Sequence, residues 1–558
     1  KLFEKCLSAC ADYFGFESTE FQLLQKGIVV HHGSMPGVLA RLMVELIQKR
    51  IVHIVLATST LSEGVNLPFE TIIIPTLLRR REPLPASEFK NLVGRAGRPG
   101  SGTEGRSLVF LESRPSDSSS YRAHQSYKSI IDELTQVQLP EDVTMVSSPL
   151  GALMSYIRQE WERISGSSSD REFIEWLEKT IPLKDSEKDV ELIAQEALDS
   201  LDGYLLSILV EKEMITGQNL NDSDLEQYLI DVWRKTYAHY VIDEPHFWEK
   251  MFATRGKAIH KRVYPNSETR RRLYRTSVSP RYGKKILDGY NEIREHLKTG
   301  TNYSEWPVEQ RLKYIIETVQ LISNLDKFRI DNYASWKNAP TWEQILVWWL
   351  NPSEATRKPK TNQVSKWIGF VKKQFEYKFN WGLGSVLSVI LDDVNDGELQ
   401  EMSIIDEWLK TGLPWIVFWL KELITWGTLD PVAASLLAHR VEYTRTAAET
   451  RANAYYKIYA TIPVDEKLNP TKIKEWLRTF DNNEEPISPK SRYKKIKARL
   501  TRDFSKTDIK DWRVLPIIHQ NSIIWIDPAG YELATSQMPV NWSSIIEGVH
   551  DFILNTES

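Results

Sequence analysis

Leu56-Ala57-Thr58-Ser59-Thr60-Leu61-Ser62-Glu63-Gly64-Val65-Asn66-Leu67-Pro68 and, a short way on, Asn91-Leu92-Val93-Gly94-Arg95-Ala96-Gly97-Arg98-Pro99-Gly100 are the stretches on which the fold turns. The first follows directly on residues 51–57 (IVHIVLA), a β-branched run of strand length. Similar runs occupy residues 27–31 (GIVVH), 71–75 (TIIIP) and 107–111, while residues 2–13 and 38–49 carry helical spacing. Short β-rich runs alternating with helices predict a parallel α/β sheet over the first 112 residues. Residues 112–120 (ESRPSDSSS) are a polar, Pro- and Ser-rich joint that predicts a domain boundary near 115.

The chemistry of these stretches suits a polyanion. Thr58, Ser59 and Thr60 follow a strand end, where hydroxyls can bond phosphate without adding charge. Gly64 permits close backbone approach, and Asn66 sets an amide beside it. Arg95 and Arg98, separated by small residues, offer guanidinium forks that bind phosphate oxygens and stay charged at any relevant pH. Upstream, Val29-Val30-His31-His32-Gly33-Ser34-Met35-Pro36 reads as a strand ending in a Gly-containing loop before a helix, a place for free N–H groups.

In this order and spacing the three segments resemble motifs IVa, V and VI of superfamily 2 helicases, in the superkiller-like and archaeal repair branch. The resemblance covers about residues 20–112. It implies that residues 1–115 are a partial second RecA-like lobe, and that ATP with Mg is the cofactor. By the same resemblance Arg95 and Arg98 face the ATP phosphates, with Arg98 the arginine finger. Gly64, Asn66 and Asn91 then border the nucleotide, and His32, Gly33 and Thr58 lie toward a bound single strand. Asn91 stands where the family has Gln, one methylene longer. No G-x-x-x-x-G-K-[ST] string exists in the 558 residues, although a phosphate loop must hold the β- and γ-phosphates. The expectation is therefore that a first RecA-like lobe precedes Lys1 in the natural polypeptide, supplies the Mg ligands, and is needed for ATP hydrolysis. Asp243-Glu244-Pro245-His246 spells DExH, but it trails the GRAGR segment inside a helical region and is rejected as a helicase box.

Beyond residue 115 long helical patterns take over, and all 19 tryptophans lie at or after Trp161. The expected fold is thus α/β followed by mostly α. By the resemblance, residues 116–300 form a helical linker and winged-helix-like domain, with the winged helix in 201–240, and residues 301–485 form a helical bundle. A ratchet-like helix is expected over 430–459, with Arg440, Thr444 and Arg451 along one side. Residues 486–558 are read as a basic segment and a small β-containing tail, with a hairpin over 512–533 turning near Gln520-Asn521. Residues 255–285 hold eleven Lys and Arg against one acid, Glu268, with Tyr264, Tyr274 and Tyr282 interleaved. Cations among aromatics suit a single-strand channel, and Arg270, Arg271 and Arg272 are its candidate phosphate contacts. Residues 490–502 hold seven more cations and no acid.

Composition bounds the rest. The chain is 41% hydrophobic and 26% charged with a formal charge of −4, so a nucleic-acid surface must be a local patch. Cys6 and Cys10 are the only cysteines, which excludes a disulfide framework and points to buried thiols in a reducing cytoplasm. The greasiest stretch, residues 413–426, is too short to span a bilayer and is broken by Lys421-Glu422. The Trp-rich extension departs from common repair and RNA-exosome helicases and resembles the helicase subunits of the bacterial Hachiman anti-phage system, which implies a nuclease partner. Two other readings stand beside a DNA helicase of 3′→5′ polarity: an RNA helicase, and a non-catalytic nucleic-acid-binding and partner-docking platform.

Overall fold

A computed structural model describes residues 1–58, 69–79, 82–96, 105–111, 118–135, 148–181, 189–216, 222–394, 404–480, 493–501, 511–519, 522–527, 531–538 and 551–555. Contacts divide the chain into two compact units, Lys1–Ile473 and Lys474–Ser558. Helices dominate the first and a curled sheet the second.

The first unit begins with α1 (Leu2–Phe14), whose Cys6, Ala9, Cys10 and Tyr13 form one buried stripe. Both thiols are free and buried, and burial pushes the Cys10 thiol up to about 12. α2 (Thr19–Gln25) starts at Ser18, whose hydroxyl accepts from the Phe21 N–H. β1 (Ile28–His31) leads into α3 (Gly37–Gln48), buried through Leu39, Leu42, Met43 and Leu46. β2 (Ile54–Ala57) lies parallel to β1 with His31 opposite Ala57. β3 (Thr71–Ile74) comes next, then a short hairpin of β4 (Leu78–Arg79) and β5 (Glu82–Pro83). α4 (Ala86–Val93) follows, and β6 (Arg106–Val109) pairs parallel with β3. The four expected strands are present and parallel, but the described residues join them as two pairs instead of one sheet.

α5 (Ser118–Thr135) is followed by α6 (Pro149–Ser165), capped by the Ser148 hydroxyl, and α7 (Asp170–Lys179), capped by Ser169. α8 (Asp189–Thr216), α9 (Asp222–Arg234), α10 (Tyr237–Val241) and α11 (Pro245–Ala258) complete a core around Trp161, Phe173, Leu205, Trp233 and Phe252. The described residues of 201–240 are helical and carry no wing strand. Asp243–His246 forms the entry to α11, with Glu244 in a left-handed conformation and Pro245 in the first turn. A π-helical turn, Ile259–Val263, leads to α12 (Ser267–Arg275) and α13 (Pro280–Lys298).

α14 (Val308–Ser323), α15 (Trp342–Leu350) and α16 (Val364–Val371) follow, and α16 runs on as a π-helix, Lys372–Phe379, into α17 (Asn380–Val394). α18 (Ile404–Thr411) and α19 (Trp415–Trp426) are separated at Gly412-Leu413-Pro414, because proline has no N–H to donate and clashes within a helix. Gly427 ends α19 at φ 68°, where a Cβ would stand 3.0 Å from Trp349. The long helix expected over 430–459 is two. α20 (Pro431–Ala438) is capped by Asp430, and α21 (Arg445–Ile458) is capped by Thr444. Arg440 lies in the turn between them at φ 59°, so Arg440 and Arg451 do not share a helix face. Trp348, Trp349, Trp415 and Trp419 are buried and belong to the core. α22 (Pro470–Leu477) ends the helical series.

In the second unit β7 (Tyr493–Ile496), β8 (Arg499–Leu500), β9 (Asp511–His519), β10 (Ser522–Ile526), β11 (Glu532–Gln537) and β12 (Asp551–Asn555) form one sheet ordered β7-β12-β9-β10-β11-β8. The expected hairpin is β9 and β10, paired antiparallel with His519 opposite Ser522. Its core is Val514, Ile523, Trp525, Phe552 and Leu554. Among the described residues no helix is long and apolar enough to cross a membrane.

Candidate functional site

The loop after β1 is held by a cluster that local sequence does not announce. The Ser34 N–H donates to His32 Nδ1 at 3.2 Å, which makes Nδ1 an acceptor and leaves Nε2 to carry hydrogen toward Glu20 Oε1 at 3.4 Å. The Ser365 hydroxyl, from α16, donates to the same Glu20 oxygen at 2.7 Å. Burial raises the Glu20 carboxyl, but the bonds from His32 and Ser365 outweigh it and hold the group below its ordinary value. Lys372 Nζ, at the start of the π-helix, donates to the Gly33 carbonyl at 3.2 Å. Burial lowers Lys372, and burial first, with Lys372 nearby, lowers His31. Gly369 lets α16 approach this closely, since a Cβ there would meet Ser34 Oγ at 2.9 Å. His32 is thus held from two sides while its side chain stays 19% exposed. Gly33 and Thr58 remain exposed, and the Thr58 N–H donates to the His31 carbonyl at 3.2 Å.

Asn91 is exposed in the last turn of α4, and Arg95 is half-buried in the turn beyond it, its N–H donating to the Leu92 carbonyl at 3.2 Å. Gly64, Asn66 and Arg98 lie outside the described residues. An amide and a guanidinium four positions apart are donors that suit the phosphate end of ATP. Among the described residues no three His, Cys, Asp or Glu come together to hold a metal ion.

The basic segment is not the open channel its composition suggests. At least eight of its eleven cations are ion-paired to carboxylates from distant segments. Arg255 is fully buried and grips Asp202 with Nε at 2.6 Å. Arg270 is 1% exposed. Its guanidinium pairs with Glu213 and donates to the Tyr264 and Pro265 carbonyls at 2.7 and 2.9 Å, so no strand can reach it. Arg271 and Arg275 share Asp392 at 3.4 and 3.2 Å, and Arg272 pairs with Asp393 at 3.2 Å. Arg270 is thus closed off by Glu213 of α8, whereas Arg271 and Arg272 stay 27% and 29% exposed beside Asp392 and Asp393 of α17. Arg440 pairs with Glu45 at 3.4 Å and Arg451 with Glu442, so neither is an unpartnered cation on a strand-facing helix. Glu20, Ser365 and Lys372 were not foreseen as site residues. The run Lys372-Lys373 with Lys378, set in an aromatic stretch, is the signal that could have drawn attention to them.

No family model matches the chain. It is 24% identical over 398 residues to Hachiman protein HamB of Bacillus cereus, an alignment covering 68% of this chain and 33% of that protein. It is 37% identical over 101 residues to ATP-dependent DNA helicase Hel308 of Aeropyrum pernix (17% of this chain, 14% of that protein). It is 35% identical over 98 residues to antiviral helicase SKI2 of Saccharomyces cerevisiae (17% and 8%). The chain is a relative of superfamily 2 helicases of the superkiller and Hel308 type. The Hel308 and SKI2 matches have the length of the α/β segment alone, whereas the HamB match is long enough that it must run into the helical region. The chain spans at most about a third of the length of these relatives.

Proposed function

We propose that this chain forms part of an ATP-dependent helicase or translocase that moves along single-stranded DNA in the 3′→5′ direction and serves anti-phage defence beside a nuclease partner. The observation that carries the reading is the ordered run of H-H-G, S-E-G-V-N-L-P and G-R-A-G-R in a sequence whose relatives include helicases. Residues 1–115 act as the second RecA-like lobe, and the helical region after them carries the strand. ATP supplies the phosphoanhydride whose hydrolysis drives movement. Arg95 and Arg98 bind and neutralise its phosphates, Asn91 and Asn66 border it, and Gly64 couples that site to the strand at Gly33 and Thr58. An arginine finger is worth about 10³–10⁵ in rate. Arg98→Ala in a protein that contains both lobes should therefore abolish strand-stimulated ATPase while strand binding changes by a few-fold at most; near-normal ATPase would overturn the assignment. The absence of a phosphate-loop string from these 558 residues favours a second reading for the chain by itself, a binding and docking platform without turnover. ATPase assays on the chain alone and on a protein with both lobes, each with DNA and with RNA strands, separate these readings and test DNA against RNA.

A further inference from the structure

A cleft of about 630 Å³ opens between α8, the α12–α13 turn and α17, a size that accommodates a small organic ligand. Tyr204 of α8, Tyr274 of α12 and Trp381 of α17 line it, with Ser277, Ser388 and Lys327 between them. Tyr204 is 51% exposed, so one ring offers its surface to solvent. Lys327 Nζ stands 5.2 Å from the Tyr282 ring centre and 5.7 Å from that of Trp381, held over aromatic faces. Arg275 adds a second cation, and no carboxylate is among the described residues that line the cleft. Acids around it are already partnered, Glu196 with Arg281 and Asp199 with the Arg281 N–H among them. Glu211 accepts from the Tyr274 hydroxyl at 3.1 Å, Asp392 sits between Arg271 and Arg275, and Asp326 pairs with Lys285. Ser277, at the turn, is held at φ 55°, a left-handed conformation that costs a non-glycine residue energy and gathers at binding sites. Its side chain is hydrogen-bonded to no described residue, and neither is that of Ser388. Two tyrosines of the basic segment, Tyr274 and Tyr282, thus come to one place beside a cation, while Tyr264 is buried.

Aromatic faces, unengaged hydroxyls and a cation without a facing carboxylate match one ligand chemistry, a nucleotide: rings for the base, hydroxyls for its polar edges and sugar, an ammonium for phosphate. We propose that this cleft seats one unpaired nucleotide of a single strand, the base against Tyr204 and Trp381 and a phosphate at Lys327. The proposal rests on the nucleic-acid reading above and places the strand at the tyrosine end of the basic segment, away from its buried Arg255 and Arg270.

The test is fluorescence anisotropy of the whole chain with a labelled 20-residue oligothymidylate, titrated at several salt concentrations. Trp381 packs edge-on against Phe328 at 5.5 Å, so its removal can disturb the fold. The exposed Tyr204 and Lys327 carry the experiment instead. Tyr204→Ala should weaken binding roughly tenfold, the loss of a stacked base. Lys327→Gln should flatten the slope of log affinity against log salt by about 0.7, one phosphate contact on a single strand. Wild-type binding with both variants indistinguishable from it in affinity and slope overturns the cleft assignment and leaves the nucleic-acid reading standing. No binding of any DNA or RNA strand by the wild-type chain overturns both. Binding of free thymidine monophosphate that Tyr204→Ala abolishes, with oligonucleotide binding untouched, makes the cleft a mononucleotide pocket and overturns its role in holding a strand.

Discussion

Arg270 has almost no solvent exposure, and its guanidinium is divided between one carboxylate and a fan of backbone carbonyls. Removing one partner of such a pair leaves the other charge buried, which costs about 3–5 kcal/mol. Arg270→Ala should lower the thermal midpoint of the chain sharply. Arg271→Ala should barely move it, because Arg271 is 27% exposed and Asp392 keeps Arg275. Circular dichroism melts of the two variants decide this, and equal midpoints would contradict the assigned burial. Composition alone gives neighbouring arginines the same role, since eleven cations against one acid read as a solvated or strand-facing patch. Their difference lies in Glu213, Asp392 and Asp393, acids on helices far away in sequence. The GRAGR and S-E-G-V-N segments are legible for the opposite reason: their meaning sits within a dozen contiguous residues.

The π-helix Lys372–Phe379 shows how much an element's neighbours decide. Glu376 on it is largely buried, Oε1 has no hydrogen-bond partner, and burial, opposed by Lys372, pushes its carboxyl up to about 6 from 4.5. Between those values the folded chain holds a proton that the unfolded chain has lost. This group's contribution to stability is therefore greatest at the acid end and declines as pH rises from about 4.5 to 6. Glu376→Gln should flatten that part of the stability profile and raise stability at pH 7 by on the order of 1–2 kcal/mol. Urea unfolding at pH 4.5 and pH 7 measures it, and an unchanged difference between the two pH values would refute the burial. At this scale β1, β2, β3, β6, α1, α3 and the β9–β10 hairpin were legible, because each is set by local periodicity or turn length, whereas the short β4–β5 hairpin and β7, β8, β11 and β12 were not. The break between α20 and α21 stayed hidden because residues 439–443 contain neither Gly nor Pro; Arg440 takes a left-handed conformation there and pairs with Glu45.

In the first unit the α/β segment is fastened to helices from the far end of the chain. Arg445 is 6% exposed; its Nε donates to Asp12 Oδ2 at 2.9 Å, its Nη2 to the Asp12 carbonyl at 2.6 Å and its Nη1 to the Trp349 carbonyl at 3.1 Å. The Tyr13 hydroxyl donates to the Trp426 carbonyl at 3.0 Å, and Lys5 Nζ to the Tyr443 hydroxyl at 2.9 Å. Arg445→Ala should release α1 without melting the helices around Trp233. Hydrogen exchange would then speed up in residues 1–14 and 345–350 while residues 198–209 stay protected; uniform acceleration would show that the fastening holds the whole unit together. The same arrangement bears on how the protein is made. Asp12 leaves the ribosome 433 positions ahead of Arg445, which at roughly 5–20 residues per second is an interval on the order of 20–90 s. For most of that interval residues 349–445 are still unmade, so the nascent chain carries the Tyr13 end of α1 uncovered, in reach of chaperones, until Trp349, Trp426 and Arg445 arrive in turn.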